Sequence, residues 1–396
     1  MKQRNEKHEK RLKKLVLTCL LLAVVLTVGT YAWFIGMQTV NVSTFEVNIA
    51  TVEDLALSLD GTSWSTDLNV TKEALEGNAY AKGNHSWTDL IPVSTVGEIS
   101  STTSKLVMFD KGSLTATNGG YRLMSALVEN KATTSTDAGE VDGYVAFDLF
   151  IKNMSGDAYY PTITDPSNEE AIYLATDSSV VVKESGTDVS GIQNSVRVAF
   201  AQIGRVKSDS DATLMQSITC TPDEDSGITS ICANRDATIW EPNDKAHVAN
   251  AISWFTKTCK TRDENGAYTS TACEAIANNN FYTTYAVSGV IDHDDGVDVY
   301  DGLNDYEGTI AQKRAEGTKL VGVDTFTDSE KILTGTARPE FFYLAPNSVT
   351  KVRVYVYLEG QDVDNYDFAS LGNNIVVNFG FTKERFTQNE ITNPGV

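Results

Sequence analysis

Two clusters of acidic residues are the best candidates for metal chemistry in this sequence. One cluster contains Asp292, Asp294 and Asp298, and the other contains Asp362 and Asp364. Calcium takes about six to eight oxygen ligands, which carboxylate-rich loops can supply. The first cluster misses the EF-hand register because its glycine comes one position early. Acidic surface turns are the simpler interpretation of both clusters, and the alternative is that they bind Ca²⁺.

Four of the five cysteines lie in one stretch of the chain, at Cys220, Cys232, Cys259 and Cys273. An even number of clustered cysteines indicates disulfides when a protein is exported. Of the three possible pairings we predict the sequential one, because it closes two short local loops. The predicted disulfides are Cys220–Cys232 and Cys259–Cys273. Zinc is the alternative, but neither pair has CxxC spacing and no histidine accompanies them.

Motifs of known catalytic sites are absent from the sequence. It contains four histidines, and it has no HExxH, GxSxG, Gly-rich phosphate loop or CxxC segment. His85 and His247 stand apart from any acid–nucleophile pattern, so exposed or capping positions are the simpler interpretation. Carboxylates are abundant, yet no spacing selects the pair that a glycosidase needs. We therefore predict that the protein is not an enzyme.

The elements that must position these residues are mostly β-strands. Beyond Gly36, apolar residues alternate with polar ones in runs that are separated by Gly, Asn, Asp and Ser clusters. This alternation is typical of an antiparallel sandwich or barrel with one buried face on each sheet. The clearest runs are GYVAFDLFIKN, NSVRVAFAQIG, TKVRVYVYLEG and NIVVNFGFTK. In the third run, the pattern predicts a polar outer row formed by Lys351, Arg353, Tyr355 and Tyr357.

One segment between the cysteine pairs departs from this alternation. In EPNDKAHVANAISWFTK, Pro242 can occupy a first helical turn, and Val248, Ile252 and Phe255 recur at helical spacing. The pattern predicts one short amphipathic helix. Residues 205–280 are therefore predicted to be an insertion that is stapled by disulfides outside the main core.

The N-terminus predicts where most of the chain lies. Residues 1–14 form a basic segment with seven Lys/Arg against two Glu, and residues 15–36 form an uncharged apolar run. Basic flanks stay on the cytoplasmic side of a membrane. Residues 37–396 are therefore predicted to be an exported domain, located outside the cell or on its surface.

The apolar run has two interpretations. As a signal peptide it would be cleaved after Ala32, with Thr30 and Ala32 as the small residues of the site and Trp33 as the new N-terminus. As a retained transmembrane helix it is long enough to cross a bilayer. We favour cleavage by a signal peptidase, and the alternative leaves the protein attached to the membrane through residues 15–36.

The charge of the chain limits its partners. The net charge is −21, and because residues 1–14 contribute +5, the rest of the chain carries −26. A nucleic-acid binder needs a basic face toward the phosphates, so this class of function is excluded. The same charge argues against adhesion to an anionic membrane surface, and it keeps an exported protein soluble.

A strand-forming segment follows directly after the apolar run. In QTVNVSTFEVNIAT, Val40 and Val42 face one way, whereas Phe45, Val47 and Ile49 continue on the alternate set of positions. A bulge, or two separately used strand pieces, would account for the change of phase. The first piece could leave its own domain and pair with the open edge of a neighbouring copy. The alternative is an ordinary first strand in a sheet of its own chain.

Two blocks of the sequence resemble a known family. VVLTVGTYAWF followed by TVNVSTFEVNIAT resembles the start of TasA- and camelysin-type surface proteins of Gram-positive bacteria. FDLFIKNMSG and KVRVYVYLEGQDVDN are similar to strands of related exported proteins. The resemblance implies a jelly-roll-like sandwich, removal of the signal by a dedicated signal peptidase, and assembly into matrix fibres by donor-strand exchange. This chain is longer than members of that family and carries the additional four-cysteine segment.

The sequence thus predicts an all-β fold, an antiparallel jelly-roll-like sandwich with an N-terminal apolar helix and a disulfide-stapled insertion. Its leading functional hypothesis is a structural protein of the cell surface or biofilm matrix. Copies of the chain would assemble into filaments by N-terminal donor-strand addition, through Val40, Val42, Phe45, Val47 and Ile49. The alternative is a membrane-tethered adhesin or lectin-like binding module with ligand loops in residues 205–310.

Overall fold

The computed structural model describes the greater part of the chain beyond residue 44. The described residues are 45–51, 54–110, 113–117, 120–124, 128, 140, 143–154, 169–182, 191–223, 225–258, 261–262, 268–269, 285–287, 299–300, 320–322, 325–360, 362, 364–365 and 375–383. The predicted basic segment and apolar run, residues 1–14 and 15–36, lie outside them. Within the described part of the chain, no helix has both the length and the apolar composition that a membrane crossing requires.

Strands account for most of the secondary structure. They are β1 (Phe45–Thr51), β2 (Leu55–Ser58), β3 (Asp67–Val70), β4 (Val93–Ser94), β5 (Phe109–Asp110), β6 (Ser113–Thr117), β7 (Gly120–Met124), β8 (Val145–Asn153), β9 (Glu170–Leu174), β10 (Ser179–Val182), β11 (Val196–Lys207), β12 (Thr229–Ser230), β13 (Thr238–Glu241), β14 (Thr261–Arg262), β15 (Tyr268–Thr269), β16 (Tyr285–Val287), β17 (Val299–Tyr300), β18 (Leu320–Gly322), β19 (Phe326–Thr327), β20 (Phe342–Leu344), β21 (Ser348–Leu358) and β22 (Ile375–Thr382).

Helices are few and short in the described residues. The α-helices are α1 (Lys72–Glu76), α2 (Ala212–Gln216) and α3 (Ala249–Thr258), and the 3₁₀ helices are Ala81–Gly83, Ile192–Ser195, Glu330–Ile332 and Gly335–Ala337. The helix predicted between the cysteine pairs is α3. It begins after Val248, and Pro242 lies in the preceding turn instead of the first helical turn.

Two mixed sheets form the body of the fold. The smaller sheet has the strand order β20-β9-β22-β1-β3, and β10 also pairs with β22. The larger sheet has the order β19-β13-β11-β21-β8-β2, and β12 also pairs with β11. The all-β prediction is confirmed, and the prediction of a purely antiparallel fold is corrected at two ladders. β1 runs parallel to β22, and β13 runs parallel to β19; in both pairs the strands are distant along the chain, so no hairpin imposes an antiparallel direction.

The main core lies between the two sheets. Alternate residues of β21 (Val352, Val354, Val356 and Leu358) share one buried cluster with Ile375, Val377, Phe379 and Phe381 of β22. Phe200 of β11 is central to this cluster, since its ring makes edge-to-face contacts with Phe341 and Phe379 at centroid distances of 4.8 and 5.1 Å. Such aromatic pairs add to the stability that burial provides. The alternation in the sequence therefore predicted the core-facing residues of these strands correctly.

The other face of the larger sheet is also buried, which corrects the predicted polar outer row. Tyr355 and Tyr357 are at most 1% exposed, and Arg353 is 8% exposed. Tyr355 and Tyr357 belong to a second apolar cluster with described parts of residues 93–108 and 215–239. The alternation of apolar and polar residues shows only which face of its own strand is apolar. It carries no information on distant segments that cover the second face.

The predicted insertion, residues 205–280, is partly built into the sheets in its described part. β13 pairs with β11 in the larger sheet, and Trp240 is fully buried in the main core. This segment therefore does not lie wholly outside the core. The predicted Cys220–Cys232 disulfide is present, with a Cα–Cα distance of 5.4 Å. Cys259 and Cys273 lie outside the described residues.

Candidate functional site

The first strand is the candidate site for self-association. β1 lies between β22 and β3, and it pairs with β22 in parallel from Phe45↔Ile375 to Thr51↔Phe381. Val47 and Ile49, two of the predicted donor-strand residues, are buried in the main core. A strand in this position has neighbours on both sides, so removing it would expose backbone groups of both β22 and β3.

Side chains on β1 fix its register against β22. Asn48 Nδ2 donates to Asn378 Oδ1 at 2.9 Å, and Thr51 Oγ1 donates to the Phe381 carbonyl at 3.3 Å. A slip of one residue would break both bonds and would turn Val47 and Ile49 away from the core. The position of β1 is therefore specified by polar and apolar contacts together.

The remaining residues of the predicted processing and donor segment lie outside the described residues. These are Val40 and Val42 of the donor strand and Thr30, Ala32 and Trp33 of the cleavage site. Signal cleavage and strand exchange between copies therefore stay predictions.

A second candidate site forms where the chain leaves β21. Asp362 and Asp364 lie close to His247, which precedes α3, and one ligand atom from each residue lies within 4.8 Å of the others. His247 Nδ1 is 2.6 Å from Asp364 Oδ2, and the Val248 amide donates to Asp364 Oδ1 at 3.1 Å. The predicted exposed or capping role of His247 is corrected, because its side chain is 7% exposed and pairs with Asp364.

Arg197 supplies positive charge to the same site. Its guanidinium, which is buried in β11, donates to Asp362 Oδ2 and, at 2.5 Å, to Glu241 Oε1. Asp362 Oδ1 accepts a 2.7 Å hydrogen bond from the Asp364 amide. The role of Arg197 was not predicted, although a single charged residue inside the apolar run NSVRVAFAQIG was a usable signal.

A glycine permits the close packing of this site. Gly191 has a φ of +73°, and a Cβ atom there would lie 2.6 Å from Val248 Cγ1 and 3.1 Å from Asp364 Oδ1. A larger residue would therefore be strained by its backbone conformation and would also clash. The hydrogen bonds of Asp364 depend on the close approach of Gly191 to Val248 and Asp364.

The contacts of Asp362 and Asp364 are those of a hydrogen-bonded network of charged groups and differ from those of a calcium site. Calcium prefers a shell of oxygen ligands, whereas the oxygens of Asp362 and Asp364 accept bonds from protein donors. Arg197 also neutralises part of the charge that would attract a cation. Calcium binding by these two residues stays a prediction, and Asp292, Asp294 and Asp298 lie outside the described residues.

The site makes the stability of the protein dependent on pH. Burial alone would lower the pKa of His247, but the hydrogen bond and charge of Asp364 outweigh burial and raise it above 6.5. A folded-state pKa above the unfolded value means that the His247–Asp364 pair contributes fully below pH 6.5. The contribution is lost as the pH rises through the raised value.

We therefore expect the urea midpoint of the protein to fall between about pH 6 and about pH 9. His247→Asn keeps a hydrogen-bond donor near the position of Nδ1 and removes the titrating group, so its midpoint should change less over the same range. Parallel pH profiles for the two proteins would contradict the assignment.

Comparison with known proteins identifies no relative: no family model, no curated protein and no solved structure matches the chain. The resemblance to TasA- and camelysin-type proteins therefore rests on the quoted sequence segments alone.

Proposed function

We propose that this chain is an extracellular structural protein that assembles into filaments by exchanging its N-terminal strand between copies. The observation that carries the proposal is the position of β1, which fills a slot between β22 and β3 and contributes Val47 and Ile49 to the main core. The same slot in a neighbouring copy would accept the same strand with the same register. Exchange then repeats from copy to copy, because each chain has one donor strand and one slot.

The connection between β1 and β2 supports exchange. Asp54, which precedes β2, has a φ of 72°, a left-handed conformation that is uncommon outside glycine. Short hinge loops favour domain swapping, and three residues separate β1 from β2. In the closed form β1 occupies the slot of its own chain, and in the exchanged form it occupies the slot of a neighbouring copy. Because β1 makes the same contacts in both forms, a small change in the conformational energy of the hinge can shift the equilibrium between them.

The export and processing steps complete the proposal. Cleavage after Ala32 by a signal peptidase would free residues 33–44 ahead of β1, and the mature domain would reach the cell surface or matrix as a jelly-roll-like sandwich. If residues 15–36 are retained instead, the protein is a membrane-tethered adhesin or lectin-like module. The intact mass of the native protein separates these two functions, since a chain that starts at Trp33 has lost its tether.

Cross-linking tests strand exchange directly. Asn48 and Asn378 are register partners, so we expect a mixture of Asn48→Cys chains and Asn378→Cys chains to form disulfide-linked dimers on oxidation. A closed monomer keeps position 48 beside its own position 378, so mixed dimers in excess of those formed in the control mixtures require exchange. Filaments in negative-stain images of the parent protein should accompany it.

Two controls define the outcome. Each variant oxidised alone reports background coupling through native cysteines, and a mixture of Asn48→Cys with Asp209→Cys tests an exposed position outside the sheets. The double variant Asn48→Cys/Asn378→Cys should link chains into a ladder if the strand is exchanged. Intrachain linkage as its sole product, together with no mixed dimer, would refute the proposed function.

A further inference from the structure

An open groove of about 860 Å³ crosses the face of the smaller sheet that points away from the main core. β1 and β22 form its floor, β3 lies on one side, and the turn of residues 175–178 lies on the other. Val47 and Ile49 point into the core, so Asn48 and Ala50, which alternate with them, point toward the groove. The donor-strand proposal does not use this face.

A row of three asparagines crosses the groove. Asn48 of β1 pairs in register with Asn378 of β22 and with Asn69 of β3. Neighbouring strands are about 4.8 Å apart, so the three amides follow one another at that spacing. The bond from Asn48 to Asn378 uses one donor and one acceptor of the pair, and each side-chain amide has two donors and two acceptor lone pairs. The row therefore keeps hydrogen-bonding capacity toward a ligand.

The groove is held in shape by the backbone around it. The turn of residues 175–178 is fixed to β22 at Gly380, whose carbonyl accepts from the Ala175 amide at 2.8 Å. The Gly380 amide donates to Ser178 Oγ at 3.1 Å. A Cβ at Gly380 would lie 3.0 Å from the Ala50 carbonyl oxygen and 3.1 Å from Ala175 Cβ, so the glycine allows this close approach. A site on strands and a fixed turn loses little entropy when it binds a ligand.

The lining selects a class of ligand by charge. None of the described residues that line the groove is Lys, Arg or His, whereas Asp67 and Asp177 provide two exposed carboxylates. Asp67, Asp177 and the net charge of −21 disfavour phosphates, nucleic acids and acidic polysaccharides. The cations nearby are already bonded: Arg338 donates to Thr382 Oγ1, and Lys331 pairs with Asp328 and donates to the Ser178 carbonyl. The apolar surface on the floor is small, since Ala50 is the exposed apolar residue of β1, so a lipid would bury little area.

We infer that this groove binds a neutral oligosaccharide. Side-chain amides and carboxylates are paired donors and acceptors that match adjacent hydroxyl groups of a sugar, and the hydroxyl of Thr176 adds a further donor at the rim. Because Asn48 and Ala50 belong to β1, the groove is complete only when β1 is in place. A bound saccharide would therefore also stabilise the inserted strand, whichever copy supplies it.

Titration calorimetry of the folded chain tests this inference. The probes are three neutral tetrasaccharides (cellotetraose, chitotetraose and mannotetraose), with tetragalacturonate as the anionic comparison. We expect at least one neutral probe to bind, and Asn69→Ala and Thr176→Ala each to weaken its binding about tenfold. Both residues are exposed, so the variants should keep the fold. Asp209→Asn, which changes an exposed residue outside the groove, is the matched control and should bind like the parent.

Three results would overturn the inference. They are failure of all neutral probes to bind with a Kd of about 1 mM or tighter, binding that neither groove variant weakens, and preference for the anionic tetrasaccharide. Cross-linking between copies is measured without saccharide. A result against saccharide binding and a result against strand exchange can therefore be told apart.

Discussion

Replacing Arg353 by alanine is expected to destabilise the fold by about 3–5 kcal/mol, because it removes the cation beside the buried Glu140 and leaves Asp148 with Lys351 alone, at 3.5 Å. Arg353 Nε donates to Glu140 Oε1 at 2.7 Å, and its Nη1 donates to Asp148 Oδ1 at 2.8 Å. Burial raises the pKa of Asp148, but the charges of Arg353 and Lys351 outweigh burial and hold it below its usual range. Without Arg353, Lys351 alone offsets the charge of Asp148, so the fold must either bury a poorly neutralised carboxylate or protonate it.

Hydroxyl groups complete the network around the two carboxylates. Tyr80 donates to Asp148 at 2.7 Å, and Tyr144 and Tyr355 donate to Glu140 at 2.6 and 2.9 Å. These bonds depend on the carboxylate positions that Arg353 fixes. The effect of the substitution should therefore exceed the loss of one ion pair, since members of such a network support one another.

Urea unfolding of three variants separates the buried charge from lost packing. Arg353→Met/Glu140→Gln/Asp148→Asn removes these three charges and keeps acceptors for the tyrosines, so it should recover part of the stability that Arg353→Ala loses. Recovery is not expected to be complete, because Lys351 loses its charged partner Asp148. Lys72→Ala breaks an exposed pair with Glu76 and should change stability little. If Arg353→Ala behaves like Lys72→Ala, the buried network does not contribute as described.

Removing β1 should have the largest effect on the protein as a whole. A chain that begins at residue 52 lacks Val47 and Ile49 in the core, and each such side chain contributes about 1.5–3 kcal/mol. It also leaves the facing edges of β22 and β3 without partners. Because domains are stable by about 5–15 kcal/mol in total, we expect this chain to lose its cooperative unfolding transition.

A synthetic peptide of residues 39–51 should restore the transition in a saturable manner, since it can occupy the slot from outside. The shortened chain is titrated with the peptide and followed by tryptophan fluorescence, to which the buried Trp240 contributes together with the other tryptophans. A peptide with Val47→Asp and Ile49→Asp is the control and should not bind, because it would bury two carboxylates. A shortened chain as stable as the parent without peptide would contradict the role of β1.

The strands with strong alternation were predictable. The runs GYVAFDLFIKN, TKVRVYVYLEG and NIVVNFGFTK correspond to β8, β21 and β22. The helical spacing in residues 241–257 predicted α3, and the short loop predicted the Cys220–Cys232 disulfide. These features depend on residues that are close along the chain, so a local pattern is enough to predict them.

The candidate sites were predictable only in part. Val47 and Ile49 were identified as one face of a strand, and Asp362 and Asp364 as an acidic cluster. Their partners lie far away along the chain: Asn378 is 330 residues from Asn48, and Asp364 is 117 residues from His247. No local pattern reports which distant residue will be the neighbour.

The order of residues therefore determines the strands, the short helix, the acidic charge and the local disulfide of this protein, because each follows from neighbouring side chains. Tertiary structure decides that β1 runs parallel to β22, and that Arg353 is buried beside Glu140 and Asp148. It also decides that His247 meets Asp364. The physical reason is that alternation shows that one face of a strand is apolar, whereas packing between distant segments decides what covers the other face and which charges are buried together.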